Sequence, residues 1–219
     1  MMFAPIKIVF PLFAVALLCA SCDSDTATFP SAIRDFYTAY TSGNGTILSI
    51  TTDEGVTYPV LEDDTNKKLT PDSVYRFLGY YEPLAEGTRQ GIHLYSAHEV
   101  LSSYPFPSDY YREGIKTDPV QMQSIWAAPQ YLNMTLGIKN SGGIHVCSFV
   151  EDSIIWNDQR MHLYVTLYHD ATDDALAFTD AAGASMPLGR YLEQSSGALT
   201  VHFSINTYDE GFINYEFNY

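Results

Sequence analysis

The side chains able to do chemistry are few and widely spaced. His98-Glu99 opens like a zinc-protease helix motif, but the position four after His98 is Ser102. A helical face with two imidazoles is therefore missing. Asp170-Ala171-Thr172-Asp173-Asp174 gathers carboxylates that could draw Ca²⁺. It has neither the ligand spacing nor the glycine of an EF-hand loop, and a solvated turn is the competing reading. No G-x-S-x-G elbow occurs, and Gly43-Asn44-Gly45 lacks the rest of a phosphate-binding loop. Cys147 lies in the apolar run Ile144 to Val150 and reads as a small buried hydrophobe. His162 and His202 fall on outward positions of alternating segments. If those segments were neighbours, His162, Tyr164, Tyr168, His202 and Asn206 would share one face, either as a binding patch or as an ordinary wet surface. The expectation is a non-enzymatic protein with no cofactor and no metal.

The elements that must position these residues are strands. Of 219 residues, 46% are apolar and 14% aromatic, including 17 Tyr. That is too apolar for a disordered chain, and the Tyr excess suits a pleated surface. Short runs rich in Val, Ile, Tyr, Phe and Thr recur between turn residues. In the first half they are Ile33–Thr41, Thr46–Thr52, Val56–Val60, Val74–Glu82 and Ile92–Ser103. Breaks fall at Gly43-Asn44-Gly45, Asp53-Glu54-Gly55, Glu62–Asp72 and Pro83–Gly91. The first three runs read as a meander and the set as a small closed or partly closed barrel. Tyr104-Pro105-Phe106-Pro107 cannot belong to a central strand. Residues 105–118 are accordingly read as a linker between a barrel at 31–104 and a second domain at 119–219. That second domain alternates cleanly: Leu132, Met134, Leu136 and Ile138 oppose Tyr131, Asn133 and Thr135. The same holds from Met161 to Tyr168, Leu199 to Asn206 and Ile213 to Tyr219. With Val120–Trp126, Ile144–Val150 and a weaker Met186–Leu192, this predicts a seven-stranded antiparallel β-sandwich, each alternating strand having one wet face.

The N-terminus is an address. Ile8–Leu18 is an apolar run preceded by Lys7, too short to span a bilayer and interrupted by Pro11. Cys19-Ala20-Ser21-Cys22 follows and resembles a bacterial lipobox. The resemblance implies a signal peptide at 1–21, lipidation of Cys22, and a tether at 22–30 that anchors the protein to a membrane. Asp23 and Asp25 are similar to the acidic export signal of Bacteroidetes surface lipoproteins; an ordinary polar tether fits them equally well.

Asp118-Pro119-Val120-Gln121-Met122-Gln123-Ser124-Ile125-Trp126, then Tyr131-Leu132-Asn133-Met134, resembles the NigD-like lipoproteins of Bacteroidetes. The order of the lipobox, the Gly-Asn-Gly turn and the closing Tyr/Phe strand agrees with that family across nearly the whole chain. The resemblance implies an all-β architecture, with a small N-terminal OB-like barrel followed by a C-terminal β-sandwich. It also implies a lipid-anchored outer-membrane protein facing the cell surface. It supplies no catalytic residues.

Ligand class is the open question. A net charge of −15 lacks the basic footprint that nucleic acid requires. An aromatic, acidic barrel suits a glycan better, with Tyr75, Tyr80, Tyr81 and Tyr95 as stacking candidates beside His162 and His202. Structural tyrosines at a barrel rim or a domain interface are the competing reading. The alternatives to a glycan-binding or accessory module are a protein-interaction factor, for bacteriocin immunity or envelope assembly, and an enzyme with an unrecognised site.

Overall fold

The computed structural model describes residues 31–86 and 89–219. The signal peptide, the tether and Cys22 lie outside the described residues. The first half comprises β1 (Ile33–Thr41), β2 (Ile47–Thr52), β3 (Thr57–Asp63), β4 (Val74–Glu86), β5 (Arg89–Leu94) and the short β6 (His98–Glu99). Strands β1 to β3 form the expected meander, and β1 also pairs with β4. The order β1-β2-β3-β5-β4 thus closes on itself as a five-stranded barrel. Its interior holds Tyr37, Ile50, Phe77, Tyr81, Ile92 and Leu94. Gly79 must be glycine there, because a Cβ would meet the Ser96 carbonyl oxygen at 1.9 Å and the Tyr37 hydroxyl at 2.7 Å. The space it leaves lets the Tyr37 hydroxyl donate to that carbonyl at 2.9 Å.

Two sequence expectations shift in the barrel. β4 runs through Pro83 to Glu86, where a break was predicted. Its pairing with β1 ends at Ile33–Tyr81, so Pro83 has a strand on one side only and no ladder bond is lost. The predicted strand Ile92–Ser103 instead divides. β5 ends at Leu94, β6 pairs with β4, and Leu101 forms a bridge to Ala184 in the second half.

The second half comprises β7 (Phe106–Pro107), β8 (Gln121–Ala128), β9 (Tyr131–Asn140), β10 (Val146–Asn157), β11 (Arg160–Asp170) and β12 (Phe178–Pro187). It ends with helix α1 (Gly189–Gln194), β13 (Leu199–Thr207) and β14 (Gly211–Asn218). A five-stranded sheet, β14-β13-β11-β10-β7, packs on a three-stranded sheet, β12-β9-β8. The alternating apolar side chains meet between the sheets: Leu132, Met134 and Leu136 against Leu163, Val165, Val201 and Phe203. Residues read as a linker are part of this body. Phe106 and Pro107 pair as an edge strand with Val150 and Glu151, and the Tyr111 ring stacks 4.6 Å from Tyr168.

The sandwich differs from the antiparallel expectation in two pairings, since β11–β13 and β7–β10 are parallel. The chain between β11 and β13 crosses to the other sheet as β12, which supplies the long connection that a parallel pair needs. The weak run Met186–Leu192 is not a strand; only Met186 and Pro187 belong to β12, and α1 follows. The wet face expected of β9 is also dry. Asn133 is fully buried and Thr135 nearly so, because the barrel covers that side of the sheet.

Candidate functional site

The barrel sits on the three-stranded sheet through a buried polar network. Arg76 of β4 and Asp53 after β2 form an ion pair at 2.6 Å, both side chains about 5% exposed. Arg76 Nε donates to Ser185 Oγ at 2.9 Å, and Ser185 Oγ donates to Asn133 Oδ1 at 2.7 Å. Asn133 Nδ2 closes the circuit on Asp53 Oδ2 at 2.6 Å. The guanidinium lies 3.8 Å from the Tyr131 ring centroid, a cation–π contact in dry surroundings. Beside it, Phe36, Leu78 and Val100 form a small apolar cluster, and Phe36 meets Trp126 edge-on at 5.4 Å. Backbone also crosses the junction: Leu101 N donates to Gly183 O at 3.1 Å, and Ser185 N to Leu101 O at 2.8 Å. These contacts hold the barrel and the sandwich in one fixed arrangement.

The four barrel tyrosines do not form a shared stacking platform. Tyr81 is 4% exposed in the barrel core, and burial pushes its hydroxyl up to about 12. Tyr75 stacks on Phe77 at 5.8 Å and accepts the Thr70 amide hydrogen. Tyr95 lies 4.1 Å from the His93 ring and donates to Glu82 at 2.7 Å. Tyr80, 45% exposed, points the opposite way from Tyr81.

His162 and His202 do meet. Their strands are neighbours, with His162 Nδ1 and His202 Nε2 at 3.0 Å. Tyr164 stacks on His202 at 4.3 Å and 9°, and Glu216 stands 3.6 Å from His202 Nδ1. The result is a flat strip of rings on the outer face of the larger sheet.

Residues 105–219 match the family model of the NigD-like C-terminal beta sandwich domain. The chain belongs to the NigD-like family. It is similar, at 31% identity and TM-score 0.73, to the crystal structure of a NigD-like immunity protein from Bacteroides caccae. That match covers 87% of this chain and 98% of the other. A protein of unknown function from Bacteroides vulgatus shares the fold at 17% identity and TM-score 0.67, covering 86% and 91% of the two chains. A candidate lipoprotein from Bacteroides fragilis shares it at 12% identity and TM-score 0.57, covering 87% and 98%. No curated protein matches the sequence.

In this NigD-like chain a second histidine pair occupies one end of the sandwich. His169, 1% exposed, places Nδ1 at 2.9 Å from the Asp118 carbonyl oxygen and Nε2 at 2.9 Å from His145 Nδ1. His145 Nε2 faces Asp174 Oδ2 at 3.3 Å. Asp174 also accepts from the Ser141 hydroxyl and the Ser141 and Gly143 amides, which hold its carboxyl well below the usual carboxylate range. Asp170 pairs with Lys116 at 2.6 Å. The acidic segment Asp170–Asp174 therefore ties loops together, and the described residues contain no group of three or more His, Cys, Asp or Glu side chains placed to hold a metal. Burial pushes the Cys147 thiol up to about 11. Around this end stand exposed Ile144 (76% exposed), Val146, Leu176 and Phe178. Ile144 and Leu176 lie in the two segments tied by the Thr172 hydroxyl donating to the Ile144 carbonyl and by the His145–Asp174 contact, while Val146 and Phe178 begin β10 and β12. Sequence reasoning missed Arg76, Asp53 and Ser185. The signal it did hold was Asn133, in the Tyr131-Leu132-Asn133 block that carries the family resemblance.

Proposed function

We propose that this NigD-like protein is a non-catalytic envelope lipoprotein, anchored through Cys22 at the outer membrane, that acts by binding another protein in the manner of an immunity factor. The observation that carries this reading is the apolar end of the sandwich. Ile144, Val146, Leu176 and Phe178 are large exposed apolar side chains at this end, the first and third in loops that Asp174 and His145 tie together and the other two at the starts of β10 and β12. Gathered exposed apolar groups on an otherwise acidic surface mark a partner site. The name of the Bacteroides caccae relative supports the immunity reading, and that of the Bacteroides fragilis structure supports the lipid anchor. A net charge of −15 keeps nucleic acid out of it.

The test is a photo-crosslinking residue placed at Ile144 in living cells. A discrete adduct at Ile144, lost in Leu176→Asp, is expected, with none when the same residue replaces Ser204 on the outer sheet face. Absence of any adduct at Ile144 overturns the reading. One observation favours a glycan as the second candidate ligand: the aligned rings of Tyr164, His202 and His162. Retardation in polysaccharide-containing native gels, abolished by Tyr164→Ala, would move the function to that face.

A further inference from the structure

The junction between barrel and sandwich leaves a cleft of about 630 Å³ that neither domain has alone. That size falls within the roughly 300–1,000 Å³ typical of small-molecule sites, which favour domain interfaces. Its apolar lining includes Leu78, Val100 and Leu101 from the barrel side and Ala181 and Gly183 of β12 from the other. Register places the mouth. Tyr80 of β4 stands directly opposite Arg34 of β1, and Leu78 opposite His98 of β6. The walls are preformed, because Leu101 is hydrogen-bonded into β12 through Gly183 and Ser185. A ligand would then pay little ordering cost on entry.

Arg34 decides the chemistry. It is exposed at the mouth and, among the described residues, forms no ion pair. Among the residues lining the cleft, Arg34 is the one Lys or Arg, and it stands with Tyr80 beside an apolar wall. It offers a charge-assisted bond to an anionic head, while the cleft takes an apolar body. Glu99 also lines the cleft and opposes a second negative charge. We propose that this cleft binds one small amphipathic anion, an apolar chain or ring bearing a single carboxylate or sulfonate. This uses a different surface from the protein-binding end, so either proposal can fail alone.

The test is calorimetric titration of the purified full-length protein with sodium decanoate as the probe. One saturable site is expected, with decanol binding more weakly and Glu99→Gln binding decanoate more tightly. Arg34→Ala should weaken decanoate about tenfold, the loss of one charge-assisted contact. Ala181→Trp, at an exposed position on the same side of β12 as Ser185, should fill the cleft and abolish binding. Leu176→Asp, which does not line the cleft, should leave it unchanged. No saturable heat overturns the proposal, as does equal affinity in the Arg34→Ala and Ala181→Trp proteins. Equal binding of decanol and decanoate overturns the anion assignment. Should Ala181→Trp fail to fold, the Arg34→Ala ratio and a fall in affinity with added salt decide alone.

Discussion

The molecule contains two histidine pairs with almost the same internal geometry and opposite wiring. In His145–His169 the facing nitrogens are 2.9 Å apart and the rings 5.1 Å; in His162–His202 they are 3.0 Å and 5.3 Å. His169 has both ring nitrogens engaged in a dry site closed by the Asp118 carbonyl. His202 lies on an open sheet face, with Glu216 half exposed 3.6 Å from its second nitrogen. Two further matched pairs repeat the contrast. Arg76 is saturated at the junction, whereas Arg34 faces solvent. Tyr81 fills the barrel core, whereas its neighbour Tyr80 borders the cleft. Residue type and spacing are thus poor guides to function here. What separates a structural side chain from an available one is whether the other domain or a loop has already used its polar atoms.

The contrast can be broken most forcefully at the arginines. Arg76→Met strands the Asp53 carboxylate in a buried site and should cost about 3–5 kcal/mol, the penalty for removing one partner of a buried ion pair. Arg34→Met should stay within about 0.5 kcal/mol, as surface substitutions do. Chemical denaturation of both variants checks this, and comparable losses would erase the distinction. The histidines come next. His169→Ala leaves a cavity and an unsatisfied carbonyl and should cost about 3 kcal/mol. On a chain of this size that is a fall in melting temperature of about 6–12 °C. His202→Ala should cost no more than about 1 kcal/mol, the value of a cross-strand pair.

What the sequence could show follows the same division. β1 was legible to the residue because a run rich in Tyr, Phe and Thr ends at the turn chemistry of Gly43-Asn44-Gly45. β11 and β13 were legible because one face of each is wet. β12 was not. Its run Asp180-Ala181-Ala182-Gly183-Ala184-Ser185 carries no strand signal, because the barrel approaches too closely for anything larger. A Cβ on Gly183 would lie 2.6 Å from Val100 Cγ1. Arg76 was equally silent. In Val74-Tyr75-Arg76-Phe77 it reads as a solvent-facing strand residue, and only the docked sandwich makes that outward position a buried one. Local pattern reports the elements. Contacts between residues far apart in sequence decide which outward faces stay outward.

Acid sharpens the histidine comparison more gently. Burial holds the His169 imidazole below its ordinary value; His145 adds to this and the Asp118 carbonyl works against it. Asp118, and Asp170 with its Lys116 partner, are the other charged groups around it. The folded state therefore keeps His169 neutral where the unfolded chain, titrating near 6.5, already binds a proton. Because the unfolded state binds more protons in that window, stability rises with pH through it and is lost as pH falls below about 6.5. Asp174 does not blur the reading, since its carboxylate remains ionised to far lower pH. The wild-type melting temperature should therefore drop between about pH 7.5 and about pH 5.5. His169→Gln should begin lower but stay flat across the same interval, while His202→Ala keeps the wild-type slope. A sloping His169→Gln profile would place the titrating group elsewhere. It would also remove the ground for calling one pair structural and the other available.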